Sequence, residues 1–368
     1  MSTTYFDKRD LNNVAKIDRI LDEDLPDFCR DYFVGISSNT TALTRLNYAY
    51  DIRTFFNYLT KKVYRLKGKN VKDITPTDIE GLSAYEIEAY LNYVEIYKDD
   101  DGNIIKNGAR GKSRKLAAIR SMMRYFEKKQ LISRNPTATV DTPKLRDKEI
   151  IRLEADEMSA LLDAVDTGDG LSVRQQKYQE NTRVRDLAIV SLLLGTGIRV
   201  SELVGIDVDD VNFKDMSFVV TRKGGARVIL YFSEEVAGYL YDYYAMRIAD
   251  KTLKNEPALF LSLQKRRITT RAVENIVKKY SLVATPLKHI TPHKLRSTFG
   301  TQLYRNTGDI YVVADVLGHK DVNTTKRHYA AITEDIRRNA STKVHLYANN
   351  KTETENTANP PPTRRKNE

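Results

Sequence analysis

The sequence predicts a mainly α-helical protein of two domains: a helical first domain and a mixed α+β second domain with a small β-sheet. Apolar residues recur at helical spacing from about residue 15 to 140, as at Tyr48, Ile52 and Leu59. Two β-branched and aromatic runs flank Lys-Gly-Gly within 217–232, a pattern typical of a hairpin. At 368 residues, the chain is long enough for two domains that each bury a core.

Composition narrows the function classes. The chain has 60 Lys and Arg against 49 Asp and Glu, and its formal charge of +11 favours a polyanionic partner. The single cysteine, Cys29, excludes an internal disulfide framework and a cysteine-rich zinc site. The N-terminus is polar, and no stretch approaches the roughly 18 apolar residues that span a bilayer. We therefore expect a soluble, cytoplasmic protein.

Turn-rich segments separate the elements of the first half. TPTD at 75–78 and KDDDGN at 98–103 are expected to be surface loops. The stretch NPTATVDTPKLRDKE at 135–149 carries two prolines and no helical period, which predicts a linker between the domains.

In the second half we expect a helix from about Ala155 to Val165, a polar insertion at 166–182, and an apolar helix, LAIVSLLL, that ends at the glycines of GTG. A further helix follows at VSELVGI, before the hairpin. The segment after about Tyr347 is rich in Asn, Thr and Pro and is expected to be disordered.

The string TPHKLR at 291–296 carries candidate phosphate ligands. Thr291 can cap a helix that Pro292 opens, so His293 and Arg296 lie three residues apart on one face and can converge on an anion. The alternative is a helix-start histidine beside a solvated arginine. A zinc site that pairs His289 with His293 is disfavoured, because Pro292 places His289 before the helix.

The string GTGIRVSEL at 195–203 lets the chain turn sharply between two helices. Arg199 and Glu202 then open the second helix on one face, three residues apart. A phosphate-binding P-loop is excluded, because no Gly-Lys-Ser/Thr follows the glycines. Taken alone, this pattern also fits an ordinary surface Arg-Glu pair.

The remaining candidates complete an ordered set. Lys223 lies at the base of the Gly-Gly hairpin turn, where a lysine is usually a solvated edge charge. The string VLGHKD at 316–321 contains His319, and Tyr329 lies ten positions after this histidine. The order Arg199, Lys223, His293-x-x-Arg296, Leu317-Gly318-His319 and Tyr329 resembles the tyrosine recombinases, or phage integrase family, over about residues 40–345.

The helix predicted at 112–136 resembles the last helix of that family's core-binding domain. Leu116, Ile119, Met123 and Phe126 form a buried stripe on it. Nine basic residues and one acid lie between Arg110 and Arg134, which favours phosphate contacts over a merely solvated face. The candidate DNA contacts are Lys112, Arg114, Lys115, Arg120, Arg124 and Lys128.

The resemblance implies the DNA breaking-rejoining fold and its domain order. The expected segments are an N-terminal extension at 1–38, a helical core-binding domain at 39–140, a linker at 141–153, a catalytic domain with a C-terminal helix at 154–346, and a disordered tail at 347–368.

The implied chemistry is a site-specific DNA recombination without metal, ATP or any cofactor. Arg199 and Arg296 would hold the non-bridging oxygens of a phosphodiester, since guanidinium forks bind them bidentately. Tyr329 would attack phosphorus to form a 3′-phosphotyrosyl bond. His293 is a candidate base and His319 a phosphate donor. Lys223 would protonate the departing 5′-oxygen, and Glu202 would orient the cluster.

Two features depart from the family pattern. Tyr329 lies ten positions after His319, one more than expected, so His328 occupies the expected position of the nucleophile. Tyr329 is the only tyrosine near that register, and Tyr311 and Tyr347 are interpreted as structural. The insertion at 166–182 has no functional interpretation.

The resemblance also implies partners. The expected partner is double-stranded DNA with a specific core site. The chain is expected to be a monomer in solution and to assemble into a homotetramer on DNA. Accessory DNA-bending proteins and an association with the bacterial nucleoid are also expected. A helix at 332–348 would dock on a neighbouring protomer or pack on its own domain.

Three alternative functions share some of these features. A type IB topoisomerase shares the tyrosine nucleophile and the pair of phosphate-binding arginines, but the core-binding helix and long C-terminal extension favour recombination. A non-catalytic DNA-binding protein is disfavoured because every expected catalytic residue type is present. A magnesium-dependent nuclease would need a carboxylate cluster that the motifs lack.

Overall fold

The computed structural model describes residues 4–99, 101–145, 151–222, 224–319, 321–323 and 325. The chain divides into two compact units. The first comprises Met1–Glu149, Gly205–Asp207 and Val219–Val228, and the second comprises Ile150–Val204, Val208–Phe218 and Ile229–Glu368. The domain bounds expected from the sequence stay predictions.

The first unit is a helical bundle with one short hairpin. Its elements are α1 (Tyr5–Glu23), α2 (Cys29–Gly35), α3 (Ala42–Lys62), α4 (Pro76–Glu80), α5 (Ala84–Tyr93), β1 (Ile96–Lys98), β2 (Ile104–Lys106) and α6 (Ala109–Lys128). TPTD at 75–78, expected to be a surface loop, instead begins α4, where the side chains of Thr75 and Asp78 each accept a hydrogen bond from the other's backbone N–H.

The core of this unit lies between α3 and α6. Ile52 and Phe55 on α3, and the predicted stripe of α6 from Leu116 to Phe126, are fully buried. The stretch at 135–149, expected to be a linker, belongs in part to the same core, because its residue Val140 is only 2% exposed.

The expected loop at 98–103 is in part a hairpin turn. β1 pairs antiparallel with β2, with Ile96 opposite Lys106, and Gly102 adopts a φ of +82° in the turn. The strands are three residues each, too short for an alternating pattern to show in the sequence.

The second half of the chain places helices around a buried central helix. Its elements are α7 (Ala155–Thr167), α8 (Val173–Thr196), α9 (Val200–Leu203), β3 (Val211–Asn212), β4 (Ser217–Thr221), β5 (Arg227–Tyr231), α10 (Glu234–Ala249), α11 (Thr270–Ala284), α12 (Pro292–Thr307) and α13 (Ile310–Leu317). The three strands form one sheet in the order β3-β4-β5. The predicted fold class, mainly helical with a small sheet, is confirmed.

α8 is the central helix, and it packs against α7, α10 and α12. Its residues from Leu187 to Leu193 are buried, which agrees with the apolar run LAIVSLLL. The polar segment before this run is not a loop throughout, because α8 already begins at Val173. Ser172 and Gln175 cap that start, and the exposed polar residues that follow form a solvated helical turn.

In the part of the chain that the structure describes, no helix combines the length and the apolar character needed to cross a membrane.

Candidate active site

The glycine turn of GTGIRVSEL begins the site. α8 ends at Thr196, and Gly197 follows in the left-handed region with a φ of +61°. A Cβ atom at Gly197 would lie 2.4 Å from Cδ1 of Phe299. Both the backbone conformation and the close approach of α12 therefore require glycine here.

Arg199 and Glu202 form a partly buried pair rather than a surface pair. Arg199 is the N-cap residue of α9, and its backbone N–H donates to Oε2 of Glu202 at 2.8 Å. Its Nη1 donates to Oε1 of the same carboxylate at 2.7 Å. The Glu202 side chain is 3% exposed and that of Arg199 is 37% exposed. The carboxylate thus fixes both ends of Arg199 while its guanidinium still reaches solvent.

Arg296 is buried beneath this turn. It lies on α12, is 5% exposed, and its Nη1 donates to the carbonyl oxygen of Gly197 at 2.6 Å. Its Nη2 donates to the carbonyl oxygen of Leu317. Arg296 therefore joins the end of α8 to the end of α13, which rules out the alternative of a solvated charge.

His293 lies one turn before Arg296 on α12 and is exposed. Pro292 opens the helix as expected. Thr291 occupies the N-cap position, but its side chain makes no capping hydrogen bond. Its carbonyl oxygen instead accepts from the N–H groups of Lys294 and Leu295.

The LGH string is the C-terminal turn of α13. Gly318 has a φ of +61°, and the His319 N–H donates to the carbonyl oxygen of Ala314 at 2.9 Å, as in a Schellman motif. The carbonyl oxygen of Gly318 accepts from Nη2 of Arg199 at 3.2 Å. Nδ1 of His319 lies 2.7 Å from Oγ1 of Thr325.

The described part of the chain thus brings Arg199, Glu202, Arg296 and the His319 turn together. Lys223 and Tyr329 lie outside the described residues. The glycines beside Lys223, Gly224 and Gly225, have φ angles of +99° and +85°, in keeping with the predicted hairpin turn.

The residues that anchor α12 are not indicated by any pattern in the sequence. Thr298, fully buried two residues after Arg296, accepts through its Oγ1 from the backbone N–H of Leu153 at 2.9 Å. Nη1 of Arg305 lies 2.7 Å from Oε2 of Glu154. The two residues of each pair are about 150 positions apart in the chain, so no local sequence pattern indicates that they are in contact.

Comparison with known proteins assigns the family. The family model described as "Phage integrase family" matches residues 151–335. Tyrosine recombinase XerC of Caldanaerobacter subterraneus subsp. tengcongensis is 33% identical over 288 residues, which cover 76% of this chain and 75% of the relative. The chain belongs to the phage integrase family.

Two solved structures share the fold of this integrase-family chain. XerH site-specific recombinase bound to palindromic difH substrate matches with a TM-score of 0.63 and 17% identity, covering 92% of this chain and 90% of that one. A lambda integrase tetramer bound to a Holliday junction matches with a TM-score of 0.57 and 17% identity, covering 82% and 76%.

The basic residues of α6 in this chain differ in their surroundings. Arg114, Arg124 and Lys128 are exposed. Nζ of Lys112 lies 2.7 Å from Oε2 of Glu95, and Nη1 of Arg120 donates to Oγ1 of Thr142 at 2.6 Å. Arg120 and Arg124 line a cavity of about 180 Å³ with Asn135, Thr137 and Ala138.

Lys115 does not suit the DNA contact expected of it. The residue is 5% exposed, and its Nζ lies 3.0 Å from Oδ1 of Asp51. Asp51 is itself buried, and that burial raises the pKa of its carboxyl against the opposing pull of Lys115 and Arg114. Because a buried ammonium needs its counter-charge, we assign Lys115 to the stability of the bundle and not to DNA contact. Arg114, whose Nη1 lies 2.6 Å from Oδ2 of Asp51, keeps a side chain that is 48% exposed.

Proposed function

We propose that this chain is a site-specific DNA recombinase that cleaves and rejoins strands through a 3′-phosphotyrosyl intermediate. One observation carries the proposal for the site: Arg199 and Arg296 donate to the consecutive carbonyl oxygens of Gly318 and Leu317, immediately before His319. Family membership supports the same function, because the curated relative is a tyrosine recombinase.

The geometry suits a phosphate clamp. A guanidinium stays charged at any physiological pH and presents several N–H donors in a fixed plane. Glu202 and Gly318 hold the plane of Arg199, so this arginine needs little reorganisation when charge develops on a phosphate oxygen. Pre-organised donors of this kind are often the largest contribution to phosphoryl-transfer rates.

The proposed roles follow from the chemistry of each group. Tyr329 attacks phosphorus and displaces the 5′-oxygen of the DNA strand, which leaves as a hydroxyl after taking a proton from Lys223. His293 accepts the tyrosine proton, and His319 donates a hydrogen bond to a non-bridging oxygen. The phosphotyrosyl bond conserves the free energy of the broken phosphodiester bond. The 5′-hydroxyl of a second strand can therefore attack this bond, release Tyr329 and rejoin the DNA without ATP.

The proposed partner is double-stranded DNA with a specific core site. The fold is shared with a recombinase bound to difH substrate and with an integrase tetramer on a Holliday junction, which supports assembly of this chain as a homotetramer on DNA. In the first unit, the proposed contacts to the DNA phosphate backbone are the basic side chains of α6: Lys112, Arg114, Arg120, Arg124 and Lys128. A cytoplasmic, nucleoid-associated location and accessory DNA-bending proteins complete the proposal.

Strand exchange on a plasmid tests this function. DNA fragments that the full chain binds are first enriched from a random library, and two copies of an enriched site are placed as direct repeats in a supercoiled plasmid. We expect two smaller circles after incubation with the full chain in EDTA. Relaxation without exchange would support a type IB topoisomerase instead, and binding without any product would support a non-catalytic DNA-binding protein.

A further inference from the structure

His319 has a buried hydroxyl partner that the proposed chemistry does not yet use. Its Nδ1 lies 2.7 Å from Oγ1 of Thr325, six residues further along the chain. Thr325 is fully buried. A buried hydroxyl that makes no hydrogen bond is costly, so the Thr325 hydroxyl hydrogen must be directed at an acceptor.

The direction of this hydrogen bond decides the histidine tautomer. Among the described residues, Nδ1 of His319 is the only hydrogen-bond partner of the Thr325 hydroxyl, so it is the only group there to which the hydroxyl hydrogen can be directed. The hydroxyl therefore donates and Nδ1 accepts when the ring is neutral. Because a neutral imidazole carries its single hydrogen on one nitrogen, that hydrogen lies on Nε2.

The Nε2–H tautomer is the form that a phosphate needs. A non-bridging oxygen only accepts hydrogen bonds, so a ring with a bare Nε2 would repel it. A hydroxyl partner also keeps this donor when the ring takes up a proton, because the hydroxyl can then accept from Nδ1–H. A carbonyl or carboxylate partner lacks this property, since it can only accept and would place the neutral ring's hydrogen on Nδ1.

We propose that Thr325 is a positioning residue that holds His319 in the Nε2–H tautomer and aims that donor at the scissile phosphate. The proposal rests on the proposed function, in which His319 binds the phosphate. Thr325 itself touches no reacting atom and acts only through the imidazole.

Matched variants separate the hydroxyl from the shape of Thr325. Valine has nearly the same volume, so Thr325→Val removes the hydrogen bond without opening a cavity. We expect it to slow covalent adduct formation on a trapping substrate by about ten- to a hundredfold at saturating enzyme, because the ring nitrogen Nδ1 loses its partner. Thr325→Ser keeps the hydroxyl and should restore most of the rate. A wild-type rate in Thr325→Val, or an equal loss in Thr325→Ser, would overturn the proposal.

A second buried threonine provides the control. Thr301 on α12 is 1% exposed, and its Oγ1 has no hydrogen-bond partner among the described residues. Thr301→Val makes the same chemical change in the same unit and should leave the cleavage rate near that of the wild type. An equal slowing by both valine variants would assign the effect to general packing and contradict the role of Thr325.

The tautomer is measured directly on the full chain without DNA. Long-range nitrogen-proton correlation spectra of histidine-labelled protein distinguish Nε2–H from Nδ1–H rings, and His319→Gln identifies the resonance among the five histidines. We expect an Nε2–H ring in the wild type, and an Nδ1–H ring would overturn the proposal. A wild-type chain that formed no adduct would contradict the proposed function instead, and the ring measurement would still decide the role of Thr325.

Discussion

Arg199 and Arg296 donate to neighbouring carbonyl oxygens at the end of α13, those of Gly318 and Leu317. These acceptors belong to the backbone, so the proposed phosphate clamp depends on the path of the chain through this turn. Gly318 secures that path with its positive φ, and Arg296 adds a bond to the carbonyl oxygen of Gly197 at the end of α8. A change in the backbone of either glycine turn should therefore alter the positions of both arginine side chains.

Glu202→Gln tests how far the buried carboxylate orients Arg199. The amide keeps the shape of the side chain but loses the charge and one acceptor of the bonds at 2.8 and 2.7 Å. Hydrogen bonds to charged groups contribute about 1.5–3 kcal/mol, so we expect covalent adduct formation to fall roughly ten- to a hundredfold. Affinity for uncleaved DNA should change far less, since many phosphate contacts share it.

Arg271 and Glu274 give a matched control for that variant. They form another Arg-Glu pair three residues apart, at 3.2 Å, but their side chains are 79% and 44% exposed. Exposed pairs of this kind contribute little, so Glu274→Gln should cleave at the wild-type rate. Equal rates for Glu202→Gln and Glu274→Gln would refute the orienting role of Glu202.

Gly197→Ala tests the turn that joins α8 to α9. The substitution places a Cβ 2.4 Å from Phe299 and 3.0 Å from Leu317, in a backbone conformation with a φ of +61°. We expect a destabilisation of about 2–5 kcal/mol from strain and overpacking together, measured by urea unfolding. Cleavage should fall more than stability alone explains, because Arg296 bonds to the carbonyl of this residue.

Gly308→Ala separates strain from steric overlap. Gly308 also ends a helix with a positive φ, +66°, but a Cβ there would meet nothing within 4 Å. The Gly308→Ala variant should be destabilised only by backbone strain, by about 1–2 kcal/mol, and should cleave DNA at the wild-type rate when folded. The account of Gly197 fails if the two alanine variants unfold at the same urea concentration.

The lowered pKa of Glu154 predicts how the free energy of unfolding changes at acidic pH. The hydrogen bond from Arg305 lowers the pKa of this carboxyl below its ordinary value of 4.5, against a smaller opposing effect of burial. A lowered pKa means that the stabilisation is complete above the unfolded value and is lost as the pH falls through the folded value. The difference in urea midpoint between the wild type and Glu154→Gln should thus stay constant from neutral pH to about 5 and shrink below 4.5. A difference that grew on acidification would contradict this assignment.

Much of the site was predictable because its motifs are local. A glycine before Arg199, a proline before His293 and a glycine before His319 each mark a helix boundary, and helix boundaries can be inferred from single residues. The buried stripe of α6 was predictable for a similar reason, since its apolar spacing repeats over several turns.

The rest depended on distant parts of the chain. The carbonyl partners of Arg296 lie on other helices, and backbone acceptors leave no signature in a sequence. Lys115 looked like its basic neighbours because its counter-charge, Asp51, is 64 positions away. The early start of α8 was missed because a polar helical surface and a polar loop have similar compositions.

The covalent adduct tests the central claim most directly. The full chain is incubated in EDTA with a nicked trapping substrate that carries an enriched site, and the products are separated by denaturing electrophoresis. We expect a protein-DNA adduct in the wild type and none in Tyr329→Phe. The matched variant Tyr311→Phe, at a tyrosine that is 70% exposed on α13, should form the adduct normally. An undiminished adduct in Tyr329→Phe would contradict the account.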